Sequence, residues 1–137
     1  MLFRTFSRIS CNNSRRDTAN PLSVGAARIV KLWSQDGTLD GYLLEMRRQL
    51  DGSLSIQVLA PAESLEHWLA GRSSVSEIAG AIAKSADLRI PSADGDYQLR
   101  RDHTRVMISH SESKEARWHA SAAEILIALK DLGRDAA

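Results

Sequence analysis

Cysteine is nearly absent from this chain of 137 residues. The one cysteine, Cys11, cannot form a disulfide within the chain or complete a cysteine-based zinc site. The sequence also lacks the spacings of a serine nucleophile elbow, a phosphate-binding loop and a dinucleotide fingerprint. No short motif therefore argues for catalysis. We expect a protein that is not an enzyme, binds no cofactor or metal, and resides in the reducing cytoplasm.

Long apolar runs are missing as well. The longest apolar-rich stretch, residues 125–129, lies between Glu124 and Lys130, whereas a helix needs about 18 apolar residues to cross a bilayer. Hydrophobic residues make up 43% of the chain, which is close to the globular average. The composition therefore predicts one soluble domain with a real core and no membrane span.

Charge is unevenly distributed along the chain. Residues 1–25 hold four arginines and one aspartate, a net charge of +3, which leaves −2 for the rest. This segment is rich in serine and poor in acids, and its first nine residues are amphipathic, which is typical of an organellar transit peptide. The alternative is an unstructured N-terminus. We predict a disordered basic leader over 1–25, a single domain over 26–133 and a tail over 134–137.

Asp-Gly turns punctuate the strands. The clearest is Asp51-Gly52, which separates two segments whose apolar residues alternate with polar ones. A two-residue loop would pair apolar with polar positions. A three-residue loop over 50–52 instead pairs Met46 with Ile56 and Leu44 with Val58, so we predict a hairpin in that register with Gly52 in the left-handed conformation.

Residues 26–71 and 96–133 share one order of elements, three strands followed by a helix. The first strand is predicted over 27–33, the first helix over 61–71, and a turn of the second half over 101–104. Capping boxes at Ser74 and Ser121, each with a glutamate three residues later, mark an extra short helix and the C-terminal helix. These patterns predict an α+β fold with antiparallel sheet or sheets built from two strand-strand-strand-helix segments.

This element order resembles two known architectures. One is the Whirly class of single-stranded nucleic-acid-binding proteins, and the other is the class I secretion chaperones. The resemblance implies a nucleic-acid or a protein partner, respectively. No motif accompanies it, so it assigns no site residues.

A protein partner, or self-association, is the first functional hypothesis. The first predicted strand is apolar on both faces, with Ile29 and Trp33 on one and Val30 and Leu32 on the other. A strand of this kind either lies centrally or meets a partner. Ile29 and Trp33 are the candidate partner surface of a small non-enzymatic binding or adaptor protein, chaperone-like or regulatory in role.

Single-stranded nucleic acid is the alternative partner. The arginines of the second set of strands would form the binding face, and Tyr97 and Trp118 would add stacking surfaces. The candidate residues are Arg100, Arg101, Arg105 and Arg117. Local ion pairs with acids such as Asp96 and Asp102 would instead make this an ordinary solvated surface.

Histidines and clustered carboxylates are weak candidates for chemistry. The spacing of His103, His110 and His119 matches no common zinc motif, although His110 and His119 would be the bases of an enzyme whose site is not otherwise visible. Asp94 and Asp96 flank a glycine turn without the ligand ladder of a calcium loop.

Overall fold

A computed structural model describes residues 26–110 and 116–134. Within them the chain forms nine strands and two helices. The elements are β1 (Ala27–Lys31), β2 (Trp33–Ser34), β3 (Leu43–Arg48), β4 (Leu54–Leu59), β5 (Gly71–Ser73), α1 (Val75–Ala83), β6 (Leu88–Ser92), β7 (Gly95–Asp102), β8 (Arg105–His110), β9 (Trp118–Ser121) and α2 (Ala122–Arg134). The leader lies outside the described residues.

All nine strands form one antiparallel sheet in the order β1-β3-β4-β5-β6-β7-β8-β9-β2. The strands β1 and β2 stand at the two ends of this order. Only Leu32 separates them in the chain, so they are parts of one bent strand. Its first part pairs with β3 and its second part with β9. The sheet is therefore a nearly closed barrel. The predicted α+β fold of two strand-strand-strand-helix segments is wrong, and the resemblance that rested on this element order no longer holds.

The helix α2 packs against strands from both ends of the sheet order. It follows β9 directly and packs against β1, β3, β8 and β9, and also against α1. Its buried side chains are Ala122, Ile125, Ala128, Leu129 and Leu132. These residues recur at helical spacing, so one apolar face of α2 contributes to the barrel core.

The predicted hairpin is confirmed. Met46 pairs with Ile56 and Leu44 with Val58, and the Gln49 N–H donates to the Ser53 carbonyl at 2.8 Å across a three-residue loop. Gly52 has φ +87°, a conformation that costs glycine little because it has no Cβ. Both predicted helix caps are confirmed too: the Glu77 N–H donates to Ser74 Oγ at 3.1 Å and the Glu124 N–H to Ser121 Oγ at 3.2 Å.

The helix predicted over 61–71 does not form. The segment between β4 and β5 is irregular, and Gly71 begins β5 instead of ending a helix. Leu65, at helical spacing from Trp68 and Leu69, is fully exposed. A Cβ on Gly71 would lie 2.8 Å from Ile90 Cγ2, so glycine is required here for a close strand contact.

The prediction also missed β5 and β6. The three residues of β5 contain no apolar alternation, and Pro91 interrupts the pattern of β6. Pro91 has no N–H to donate, and a proline within an apolar segment argues against a strand inside a sheet. No helix in the described part of the chain is long and apolar enough to cross a membrane.

Candidate functional site

The hydroxyl of Tyr97 joins the barrel to the segment that covers one of its ends. The β4–β5 ladder stops at Ile56 opposite Gly71, and two residues further on its continuation would bring Val58 opposite Leu69. The Tyr97 hydroxyl lies between them, accepting from the Val58 N–H at 3.3 Å and donating to the Leu69 carbonyl at 2.9 Å. Burial is the main cause that raises the pKa of Tyr97 to about 12.

Other contacts hold the same covering segment. The Gln57 side-chain amide donates to the Trp68 carbonyl at 2.7 Å, and the Leu69 N–H donates to Asp94 at 3.0 Å. Burial acts against ionisation of Asp94, but hydrogen bonds led by that of the Leu69 N–H outweigh it and lower its pKa. These anchors fix Trp68 over the end of the barrel.

His110 lies next to these anchors, but Ser92 and Asp94 do not form a catalytic triad with it. Its Nε2 is 3.3 Å from Asp94 Oδ1 and 3.4 Å from Ser92 Oγ. A triad needs the serine and the carboxylate on opposite ring nitrogens, whereas here both meet the same one. His119, the other candidate base, lies on β9 opposite Met107, away from this cluster. The structure therefore does not bring the two histidines together.

Arg117 lies at the same end of the barrel, enclosed by aromatic rings. Its guanidinium carbon is 5.3 Å from the centroid of Tyr42, 5.4 Å from that of Trp68 and 4.8 Å from that of Trp118. Glu66 completes the arrangement, with its Oε2 at 2.8 Å from Arg117 Nη1. We call Tyr42, Trp68, Trp118 and Glu66 the cation cage. Sequence analysis predicted Trp118 as a stacking surface beside Arg117 on a nucleic-acid face, and it did not connect Tyr42, Trp68 or Glu66 with this arginine.

The electrostatics of the cation cage are mutually reinforcing. Hydrogen bonds from Arg117 and then from Tyr42 lower the pKa of Glu66. The hydrogen bond with Glu66 is the main cause that raises the pKa of Tyr42. The hydrogen bond with Glu66 is also the main cause that raises the pKa of Arg117. Arg117 is therefore held as a cation against a carboxylate.

The four arginines predicted to form a nucleic-acid face do not share one surface. Arg101 donates to the Ile82 carbonyl at 3.2 Å near the end of α1, and Arg117 occupies the cation cage. Arg100 and Arg105 lie on the outer face of the barrel, where Arg105 is 3.5 Å from Asp102.

The outer face brings together residues that sequence analysis treated separately. Trp33 faces His119, His119 faces Met107 and Met107 faces Arg100 across four neighbouring strands. A groove of about 340 Å³ includes Met107 and Arg100 in its lining. Acidic residues neutralise much of this face, for example Asp96, which lies 3.3 Å from Arg89.

Ile29, the other predicted partner residue, lies on β1, whose second edge pairs with no strand in the described part of the chain. Hydrogen bonds from the Arg48 N–H to the Ala26 carbonyl and from the Leu32 N–H to the Tyr42 carbonyl fix which residues face β3. In an antiparallel pair these alternate, so the N–H and C=O of Ile29 point away from β3. The side chain of Ile29 is 56% exposed.

A groove of about 230 Å³ separates this edge from α2. Its exposed apolar walls are Ile29 and Ile127, and Ile127 is 61% exposed; Val30 and Ala128 line it as buried residues. Its charged lining consists of the Arg28–Asp131 pair, at 3.8 Å, and Glu124. We call this feature the β1–α2 groove.

The described residues contain no cluster that could bind a metal ion. Within residues 26–110 and 116–134, no three histidine, cysteine, aspartate or glutamate side chains gather closely enough to hold a metal ion. Comparisons with protein-family models, curated proteins and solved structures gave no match, so nothing about function is carried over from another protein.

Proposed function

We propose that this protein is a non-enzymatic binding module that captures an extended segment of a protein partner in the β1–α2 groove. The partner segment adds as a strand to the second edge of β1 and inserts one apolar side chain between Ile29 and Ile127. One observation supports this proposal: Ile29 combines an exposed apolar side chain with a backbone N–H and C=O that point sideways, away from β3.

The backbone hydrogen-bonding groups at the edge of β1 favour a peptide over other ligands. A free strand edge offers donors and acceptors in a row, and an incoming strand satisfies them while its alternate side chains reach one face. In β1 these outward positions are Ala27, Ile29 and Lys31, since they alternate with the residues that bond β3. The Ala27 carbonyl already accepts from Arg28 Nη1 at 2.9 Å, so a short ladder would use Ile29 and Lys31.

Size and charge favour the same class of ligand. A volume of about 230 Å³ is below the range of about 300–1,000 Å³ for small-molecule pockets, but it admits a side chain of a peptide. The charged lining carries one more acid than base, which disfavours a polyanion such as nucleic acid. An apolar or mildly basic segment fits this environment.

Peptide selection on the immobilised full chain tests the proposal. A phage-displayed library is enriched on the protein and counter-selected on the support without protein. Peptides from this selection should have apolar residues at alternate positions. Fluorescence anisotropy should then show that Ile29→Asp and Ile127→Asp each weaken binding at least about tenfold, since a buried carboxylate opposes an apolar side chain.

Leu50→Asp is the matched control, because Leu50 is 70% exposed in the β3–β4 loop and is absent from the groove lining. This variant should bind like the wild type. N-methylation of the peptide at alternate bonds separates strand addition from simple apolar contact: one register should abolish binding and the other should not. Equal binding by the Ile29→Asp variant, or no enrichment together with salt-sensitive binding of a single-stranded oligonucleotide, would contradict the proposal.

A further inference from the structure

We propose that the cation cage is a binding site for organic cations, of the quaternary ammonium or alkylguanidinium class, and that Arg117 is its internal ligand. This site is independent of the β1–α2 groove. An external cation of this class competes with Arg117 for the space between the rings.

The three aromatic rings and the carboxylate of the cage are the groups that bind organic cations in proteins. Cations bind over aromatic faces within about 6 Å of the ring centroid, and all three rings meet this distance to the Arg117 guanidinium. The rings form walls instead of a stack, because Trp68 and Trp118 are nearly perpendicular, at 85°, and Tyr42 is tilted by 53° and 47° to them. Glu66 supplies the countercharge.

An ordinary surface ion pair would not need this construction. Glu66 alone neutralises Arg117, yet three aromatic residues far apart in the sequence converge on the same guanidinium. Trp118 is 2% exposed, so most of its ring is covered. The cage therefore stabilises a cation through the faces of its aromatic rings as well as through the negative charge of Glu66.

The two tryptophan walls of the cage are held by contacts that do not involve Arg117. Gln57, Asp94 and Tyr97 bind the backbone of the segment that carries Trp68. Trp118 is part of β9, where it pairs with Ile108. The walls should therefore remain in place when the arginine side chain is removed, which leaves a preorganised site.

The cage is also open to solvent. The side chains of Arg117 and Glu66 are 45% and 38% exposed. An external cation can therefore reach the guanidinium position without unfolding of the barrel.

Titration of the full-length Arg117→Ala variant with tetramethylammonium and with methylguanidinium tests the assignment. Tryptophan fluorescence should change saturably at millimolar concentrations, with an affinity at least about tenfold above that of the wild type, because the internal competitor is gone. tert-Butanol, a neutral compound of similar shape, should give no saturable change. Adding Glu66→Gln should weaken cation binding, since the countercharge is lost.

Far-ultraviolet circular dichroism establishes that each variant is folded. If Arg117→Ala is unfolded, Arg117→Met retains the apolar arm and is titrated in its place. In the wild type, nuclear magnetic resonance should show the Arg117 Nε–H signal moving towards that of free arginine as tetramethylammonium is added. Folded variants without saturable binding, equal binding by wild type and variant, or an Arg117 signal that does not respond would overturn the proposal.

Discussion

Removal of the Tyr97 hydroxyl is the sharpest test of how the barrel end is held. Tyr97→Phe retains the ring but deletes the group that joins the Val58 N–H to the Leu69 carbonyl. Each hydrogen bond contributes about 0.5–1.5 kcal/mol, and a buried polar group left without a partner costs about 1–3 kcal/mol. We expect the free energy of unfolding to fall by roughly 2 kcal/mol.

Urea unfolding, followed by tryptophan fluorescence and by circular dichroism, measures this loss. Tyr42→Phe is the matched control, because its hydroxyl bonds Glu66 and Arg117 at a partly exposed position and its removal should cost about 0.5 kcal/mol. An equal loss in the two variants, or a loss below about 0.5 kcal/mol for Tyr97→Phe, would refute the role assigned to this hydroxyl.

The same hydroxyl predicts how stability depends on alkaline pH. The unfolded chain releases the Tyr97 proton near pH 10, whereas the folded chain holds it until its pKa of about 12. The contribution is therefore fully present below pH 10 and is lost as the pH rises to 12. Ultraviolet titration of the folded protein should show a tyrosine that ionises near pH 12 and that Tyr97→Phe removes; a titration without this late step would contradict the assignment.

Two further predictions concern packing and acid. Gly71→Ala should destabilise the protein by about 1–3 kcal/mol in urea unfolding, because its Cβ would lie 2.8 Å from Ile90 Cγ2 and 3.0 Å from the Pro91 carbonyl oxygen. Gly80→Ala in α1 has open space and should instead stabilise by about 0.5–1 kcal/mol; the same sign for both would contradict the contact argument. Because the pKa of Glu66 is lowered, its contribution is present above its unfolded pKa and is lost as the pH falls through the folded value. Glu66→Gln should therefore weaken the acid dependence of urea stability, and an unchanged profile would show that the ion pair with Arg117 contributes nothing.

Local patterns in the sequence predicted the parts of the fold that depend on near neighbours. The register of the Asp51-Gly52 hairpin follows from apolar alternation on both sides of one turn, and the caps at Ser74 and Ser121 act within their own first turns. These features could be predicted because the groups that decide them lie within a few residues of one another.

The barrel and its covering segment depend on distant groups. Leu65, Trp68 and Leu69 have helical spacing, but Gln57 and Tyr97 take the backbone carbonyls of Trp68 and Leu69 into other hydrogen bonds. Barrel closure depends on the change of partner at Leu32, where one strand leaves β3 and joins β9. Neither event has a local signal in the sequence.

The candidate sites divide in the same way. Exposure of Ile29 could be predicted, because Val30 and Leu32 occupy the opposite face of its strand. The facing wall, Ile127, comes from a helix at the other end of the chain, and the cation cage joins residues from 42 to 118. Only the three-dimensional arrangement connects these residues.

Amide hydrogen exchange at Ile29 tests the proposed strand addition most directly. In the free protein the Ile29 N–H points away from β3 and should exchange quickly, while the neighbouring Val30 N–H, which faces β3, should be protected. A saturating selected peptide should slow exchange at Ile29 by at least about tenfold with little change at Val30. Binding of the peptide without protection of the Ile29 amide would contradict strand addition at this edge.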